Sequence, residues 1–131
     1  MQWFAASLWV GIGGILGANA RFWLARAAAA IWGTGFPWGT MIINVSGSFA
    51  IGLIYGLLAS RLSAFAEQIR LAVLIGFLGS FTTFSTFEHE THALMMDGEW
   101  LLAAANVAGS VVAGLIAVYM GNAIAGVLTP R

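Results

Sequence analysis

Four long apolar runs, separated by short polar breaks, constrain the fold of this chain more than anything else in its sequence. Trp3 to Ala20 is free of charge, and the apolar character resumes around Arg21 and Arg26 and continues to Trp32. Thr40 to Ala59 follows, then Leu71 to Phe87 with a continuation towards Met96, then Trp100 to Val127. Each run reaches the ~17–25 residues that an α-helix needs to cross a bilayer. Membrane-crossing strands alternate apolar and polar residues; these runs are continuous, so helices are expected. The breaks are a turn at Gly33-Thr34-Gly35-Phe36-Pro37, a polar connector from Ser60 to Arg70 holding Arg61, Glu67 and Arg70, and Asp97-Gly98-Glu99.

Composition agrees. Of 131 residues, 60% are hydrophobic and 8% charged, against about 25% charged in soluble domains. A soluble monomer of this make-up would expose one continuous apolar surface. The hydrophobicity excludes a disordered chain, and the net charge of +0 excludes a basic module held on nucleic acid by phosphate contacts. With 0 cysteines, disulfides, zinc–thiolate sites and thiol catalysis are excluded. The expected fold is an all-α integral membrane domain covering residues 1–131, with spans at roughly 3–30, 40–59, 71–96 and 100–127.

No internal repeat is visible. Transporters often carry inverted repeats within one chain; here a repeat would require a second copy. Four spans place Arg61, Arg70 and Arg131 on one side, and Arg26, with Arg21 near a span end, towards the other. Basic excess in short loops sets orientation. This weak bias fits either a single topology or insertion both ways, which would permit an antiparallel homodimer.

Three stretches carry polar groups into the apolar runs. In the third, Gly76-Phe77-Leu78-Gly79-Ser80-Phe81-Thr82-Thr83-Phe84-Ser85-Thr86-Phe87, a continuous helix would put Phe81, Phe84 and Phe87 on one face and Thr82, Ser85 and Thr86 on another. Two glycines and a run of hydroxyls point to a break, whose freed carbonyls can bind a cation; back-bonding of hydroxyls to their own helix is the plain alternative. The second run has Thr40, Asn44, Ser48, Gly52 and Gly56 four apart, a ridge that permits close helix approach. Asn44 there is either interhelical glue or a donor to an anion, and glue is favoured. Asn106, Ser110 and Gly114 repeat the spacing in the fourth run. Arg21 at the end of an apolar run either snorkels or faces a water-filled vestibule. Two near-motifs are set aside. Gly11 to Gly17 misses the dinucleotide fingerprint by one residue, and Glu88-His89-Glu90-Thr91-His92 spaces its histidines i, i+3 rather than the i, i+4 of a zinc protease.

Gly13 to Arg21 (Gly-Gly-x-x-Gly-Ala-x-x-Arg), Gly39 to Phe49 (Gly-Thr-x-x-x-Asn-x-x-Gly-Ser-Phe) and Thr82 to Phe87 (Thr-Thr-Phe-Ser-Thr-Phe) together resemble the Fluc (CrcB-type) fluoride channels of bacteria. The resemblance covers essentially the whole chain. It implies an antiparallel dual-topology homodimer in the inner membrane, with two pores that export fluoride passively and protect the cell; it implies no enzyme. Asn44, Thr83, Phe84, Ser85, Phe87 and Ser110 would line the pore. Arg21 would stand at a vestibule and Glu90 near a pore end. Backbone carbonyls of Gly79 and Thr82 from both subunits would hold a central structural sodium ion. The sequence departs from the family at Leu78 and Ser80, where glycine is more frequent, and at Gly114, where a second hydroxyl is common.

The physics of an anion path fits. A bare anion in a low-dielectric interior is very costly, yet a conductor must not trap it. Phenylalanine edges carry positive quadrupole density, and Asn, Ser and Thr supply neutral donors. The alternatives are a small dual-topology drug or cation antiporter, which needs an intramembrane carboxylate that the first two runs lack, and a non-transporting assembly subunit, which leaves the hydroxyl-rich third run unexplained.

Overall fold

The computed structural model describes residues 2–60 and 66–129. Its elements are helical: α1 (Gln2–Trp32), α2 (Trp38–Ser60), a third rod in four parts, and α6 (Trp100–Leu128). The third rod runs through α3 (Ala66–Ile69), a π-helical stretch (Arg70–Leu78) and the single turn α4 (Gly79–Phe81). After an interruption at Thr82 and Thr83 it resumes as α5 (Phe84–Met96). Four rods among the described residues, Trp3–Trp32, Trp38–Leu58, Glu67–Met96 and Trp100–Leu128, are long and apolar enough to cross a bilayer. This is a multi-pass membrane protein.

Turn chemistry ends the rods where the sequence changes character. Gly33 adopts φ 76°, a left-handed conformation that costs glycine little, and its N–H reaches the Ala29 carbonyl at 2.9 Å. Gly98, at φ 80°, does the same after α5. Its N–H bonds the Met95 carbonyl at 3.1 Å while the Glu99 N–H bonds the Leu94 carbonyl at 2.8 Å, the paired pattern of a Schellman stop. The α5–α6 turn is therefore tight, and the two helices return side by side.

Part of the connector expected over residues 60–70 is helical. Helix begins at Ala66, and the Arg70 guanidinium pairs with the Glu67 carboxylate at 2.9 Å one turn apart. Both side chains stay exposed, so charge does not stop the helix. Arg61 and Arg131, on which the orientation bias rested, lie outside the described residues.

Small residues set how closely the rods approach. A Cβ on Gly121 of α6 would meet the Phe49 carbonyl and the Leu53 N–H of α2. One on Gly17 of α1 would meet the Phe77 carbonyl and the Ser80 hydroxyl. Ser80 Oγ then donates to the Gly14 carbonyl at 2.9 Å, tying α1 to the third rod. The core lies between α2 and the third rod, where Ile43, Leu74, Leu78 and Phe81 are buried together. Outward faces are strongly apolar: Ile15, Leu101 and Leu115 are each more than 60% exposed, which suits lipid and not water.

Candidate functional site

The interruption in the third rod organises the site. Thr82 (ψ 155°) and Thr83 (φ −149°, ψ 114°) are extended, so the helical ladder cannot pass through them. The Thr83 N–H, which a continuous helix would give to the Gly79 carbonyl, instead donates to Asn44 Oδ1 at 2.8 Å. Asn44 Nδ2 donates back to the Thr83 carbonyl at 3.0 Å. One amide side chain thus satisfies both backbone groups of the extended residue, as a strand neighbour would. Asn44 serves as the glue expected of it, and its target is backbone.

Thr83 is also the N-cap of α5. Its Oγ1 accepts from the Thr86 N–H at 3.4 Å and donates to Thr86 Oγ1 at 2.9 Å. With the Thr83 and Thr86 N–H groups diverted, the Gly79 and Thr82 carbonyls lose their helical partners. The break therefore presents two kinds of group side by side. Carbonyl oxygens end α4, and the N–H groups of the first turn of α5 stand at the positive end of its dipole.

A cleft of about 370 Å³ opens here, lined by Asn44, Ser48, Gly79, Thr82, Thr83, Phe84, Phe87 and Ser110, with Gly47 and aliphatic side chains. No charged side chain lines it. The Phe84 and Phe87 rings lie 5.9 Å apart at 39°. Phe87 is buried and Phe84 is 73% exposed, so the cleft is open on one flank.

The expected residues divide. Asn44, Thr83, Phe84, Phe87, Ser110, Gly79 and Thr82 line this one cleft. Ser85 does not; it is exposed on α5. Phe81 does not join Phe84 and Phe87 in the cleft, because the helix that would align the three is interrupted at Thr82 and Thr83. Phe81 is buried and stacks on Phe77 at 5.6 Å. Arg21 is half-buried on α1 outside the cleft. Glu90 lines a second cavity of about 600 Å³ with Thr40, Asp97 and Glu99, one helical turn from Asn44 along α2. The ridge on α2 also divides: Asn44 and Ser48 face the cleft, while Gly52 packs on the Val118 backbone and Gly56 on Ala125.

Sequence reasoning missed Gly47, which is buried against Thr82 and Phe81 so closely that a Cβ would meet the Thr82 methyl. Its signal was the second glycine of the Gly39–Phe49 motif, between Asn44 and Ser48. It also placed Asn106 with Ser110 in a polar stripe, whereas Asn106 is fully buried and bonded to Thr91. The carboxylates Glu88 and Glu90 fall within the third candidate span, so an argument built on the first two spans alone understated the acidic content at membrane depth. Among the described residues no group of three His, Asp or Glu side chains converges.

Comparison with known proteins gives the family. Residues 8–122 match the family described as CrcB-like protein, Camphor Resistance (CrcB). The chain is 48% identical over 112 residues to the fluoride-specific ion channel FluC of Hydrogenovibrio crunogenus, covering 86% of this chain and 84% of the other. It is 47% identical over 113 residues to the protein of that name from Magnetococcus marinus (86% and 91% covered). For the one from Methylocella silvestris the figures are 48% over 120 residues (90% and 91%). These relatives are named as ion channels, not as enzymes. With its four apolar rods, its broken third rod and similarity along most of its length, the chain belongs to the CrcB family.

Proposed function

We propose that this protein is a passive fluoride channel that works as an antiparallel dual-topology homodimer in the bacterial inner membrane and relieves the cell of fluoride. The observation that carries this reading is the neutral polar cleft at the helix break, on a chain whose relatives are named fluoride-specific channels. A dehydrated fluoride needs donors to offset its lost hydration. The cleft supplies several without a fixed positive charge: the second amide hydrogen of Asn44, the Ser110 hydroxyl, the phenylalanine ring edges and the N-terminal turn of α5. Each is weak enough to let the ion leave.

The homodimer is supported by what one chain leaves uncovered. Ser85, Thr86, Glu88, His89 and His92 are exposed along α5, within a span. Polar and ionisable groups at that depth face protein or water and not lipid. A second copy across this face covers them, closes the open flank of the cleft at Phe84 and brings Ser85 to the path. In this reading Arg21 belongs to a vestibule and Glu90 lies near a pore end.

A structural sodium ion fits the donor set. The Gly79 and Thr82 carbonyls, freed from the helical ladder, are hard oxygen donors on the cleft wall, and two copies double their number. When bound, the cation supplies positive charge that balances the carbonyl ends of the broken rods. The chain's own part is to hold those carbonyls in place, through the Asn44–Thr83 pair.

The test is ion efflux from liposomes holding the pure protein. Fluoride should leave and chloride should stay. Absence of fluoride efflux, or equal chloride efflux, would sink the proposal. One observation favours a second reading. Glu90 Oε2 is buried without a hydrogen-bond partner, as the carboxylate of a proton-coupled cation exchanger would be. Cation uptake driven by a proton gradient, without fluoride flux, would select it.

A further inference from the structure

A buried hydrogen-bonded chain runs behind the cleft. Thr91 Oγ1 donates to the Phe87 carbonyl at 2.7 Å. Asn106 Nδ2 donates to Thr91 Oγ1 at 2.9 Å. Ser110 Oγ donates to Asn106 Oδ1 at 3.4 Å. The two ends, Phe87 and Ser110, line the cleft. The two middle members do not, being 6% exposed at Thr91 and 0% at Asn106. We propose that Thr91 and Asn106 are positioning residues for the anion path, joining α5 to α6 so that the Phe87 ring and the Ser110 hydroxyl keep one arrangement in the cleft.

The direction of the chain follows from donor counting. Thr91 has one hydroxyl proton, and the Phe87 carbonyl takes it. Thr91 can therefore only accept from Asn106, which obliges the amide to turn its NH₂ to Thr91 and its oxygen to Ser110. Ser110 then parks its single proton on that oxygen. The 3.4 Å separation is at the long end of hydrogen bonding, so an anion in the cleft competes for this proton on good terms. Had the amide faced the other way, Ser110 would accept from its NH₂ and keep its own proton free; as it stands, that proton is held by Asn106 Oδ1 until an anion competes for it. A carbonyl that touches no ion thus decides where the Ser110 proton rests when the cleft is empty. The Asn106–Thr91 bond ties α5 to α6 one helical turn beyond Phe87, whose carbonyl Thr91 holds within α5.

This inference rests on the fluoride reading, and the experiment separates the two. Fluoride and chloride efflux per reconstituted protein is measured for the wild type, T91V, T91S, N106L and the T91V/N106L double variant. T91V keeps the shape of threonine and removes its hydroxyl. It should lower fluoride flux about tenfold, a barrier change of about 1.4 kcal/mol, with chloride still excluded. T91S keeps the hydroxyl and should conduct as the wild type. The double variant should be no slower than the slower single one, since both cut the same chain. Wild-type flux in both T91V and N106L, or T91S as slow as T91V, would overturn the proposal. If T91V does not fold, N106L against T91S decides it in the same way. A wild type that passes no fluoride would refute the channel reading instead. Hydrogen exchange of the α5 amides then reads the clasp: faster exchange in T91V than in T91S supports it, and equal protection overturns it.

Discussion

Replacing Asn44 by leucine removes both bonds to Thr83, at 2.8 and 3.0 Å, and leaves an N–H and a carbonyl at membrane depth. The number and branching of the side-chain heavy atoms stay the same, so the effect is mainly polar. Each bond is worth about 0.5–1.5 kcal/mol net, and each orphaned group costs about 1–3 kcal/mol when no substitute arrives. Side-chain hydrogen bonds between membrane helices average only about 0.6 kcal/mol, because the unfolded chain also finds partners. The break argues for the upper part of this range, since an extended residue has no neighbouring turn to bond to. The cleft argues for moderation, since water can enter it. We expect about 2–4 kcal/mol in total, the two bonds together with partial orphaning. The assay is reversible unfolding in mixed micelles, comparing Asn44→Leu with Ser46→Ala. Ser46 bonds only its own helix, to Ile42 at 2.6 Å and Ile43 at 3.2 Å, and its loss should cost no more than about 0.5 kcal/mol. A loss for Asn44→Leu no greater than for Ser46→Ala would refute the reasoning, and with it the idea that Asn44 holds the break open.

Thr83→Val keeps the backbone pairing with Asn44 but removes the cap on α5, and should cost about 1 kcal/mol in the same assay; no loss would mean that Thr86 needs no cap. Gly121→Val drives a side chain into the α2 backbone at Phe49 and Leu53 and should abolish the folded protein on size exclusion. Gly126→Ala meets nothing within 4 Å and should stabilise α6 by about 0.5–1 kcal/mol. Phe84→Ile and Phe87→Ile should each lower fluoride flux while leaving the oligomer intact by size exclusion, and unchanged flux in both would remove the rings from the path.

Much of the site was legible because its residues cluster within one short stretch. The hydroxyls from Thr82 to Thr86 and the glycines before them marked the broken rod, and Asn44 marked the polar side of α2. The place of the break was less legible. Gly79 is helical, and the extended residues are two threonines, because β-branched side chains suit extended backbone and Asn44 is there to receive Thr83. The spacing rule for Phe81, Phe84 and Phe87 failed for the same reason, since it holds only within a continuous helix. Asn106 and Ser110 look alike at i, i+4 on α6, yet one points at Thr91 and the other at the cleft.

Apolar runs longer than a bilayer is thick, with few charges, determine by themselves that this chain is helical and crosses a membrane, because no other folded state hides that surface from water. Turn glycines and the connectors determine where the rods end. Tertiary structure alone decides which polar group is spent on holding the protein together and which remains for an ion. That decision depends on which donor meets which acceptor across helices. At the break, Asn44 meets Thr83 from 39 residues away, a pairing that no local pattern records.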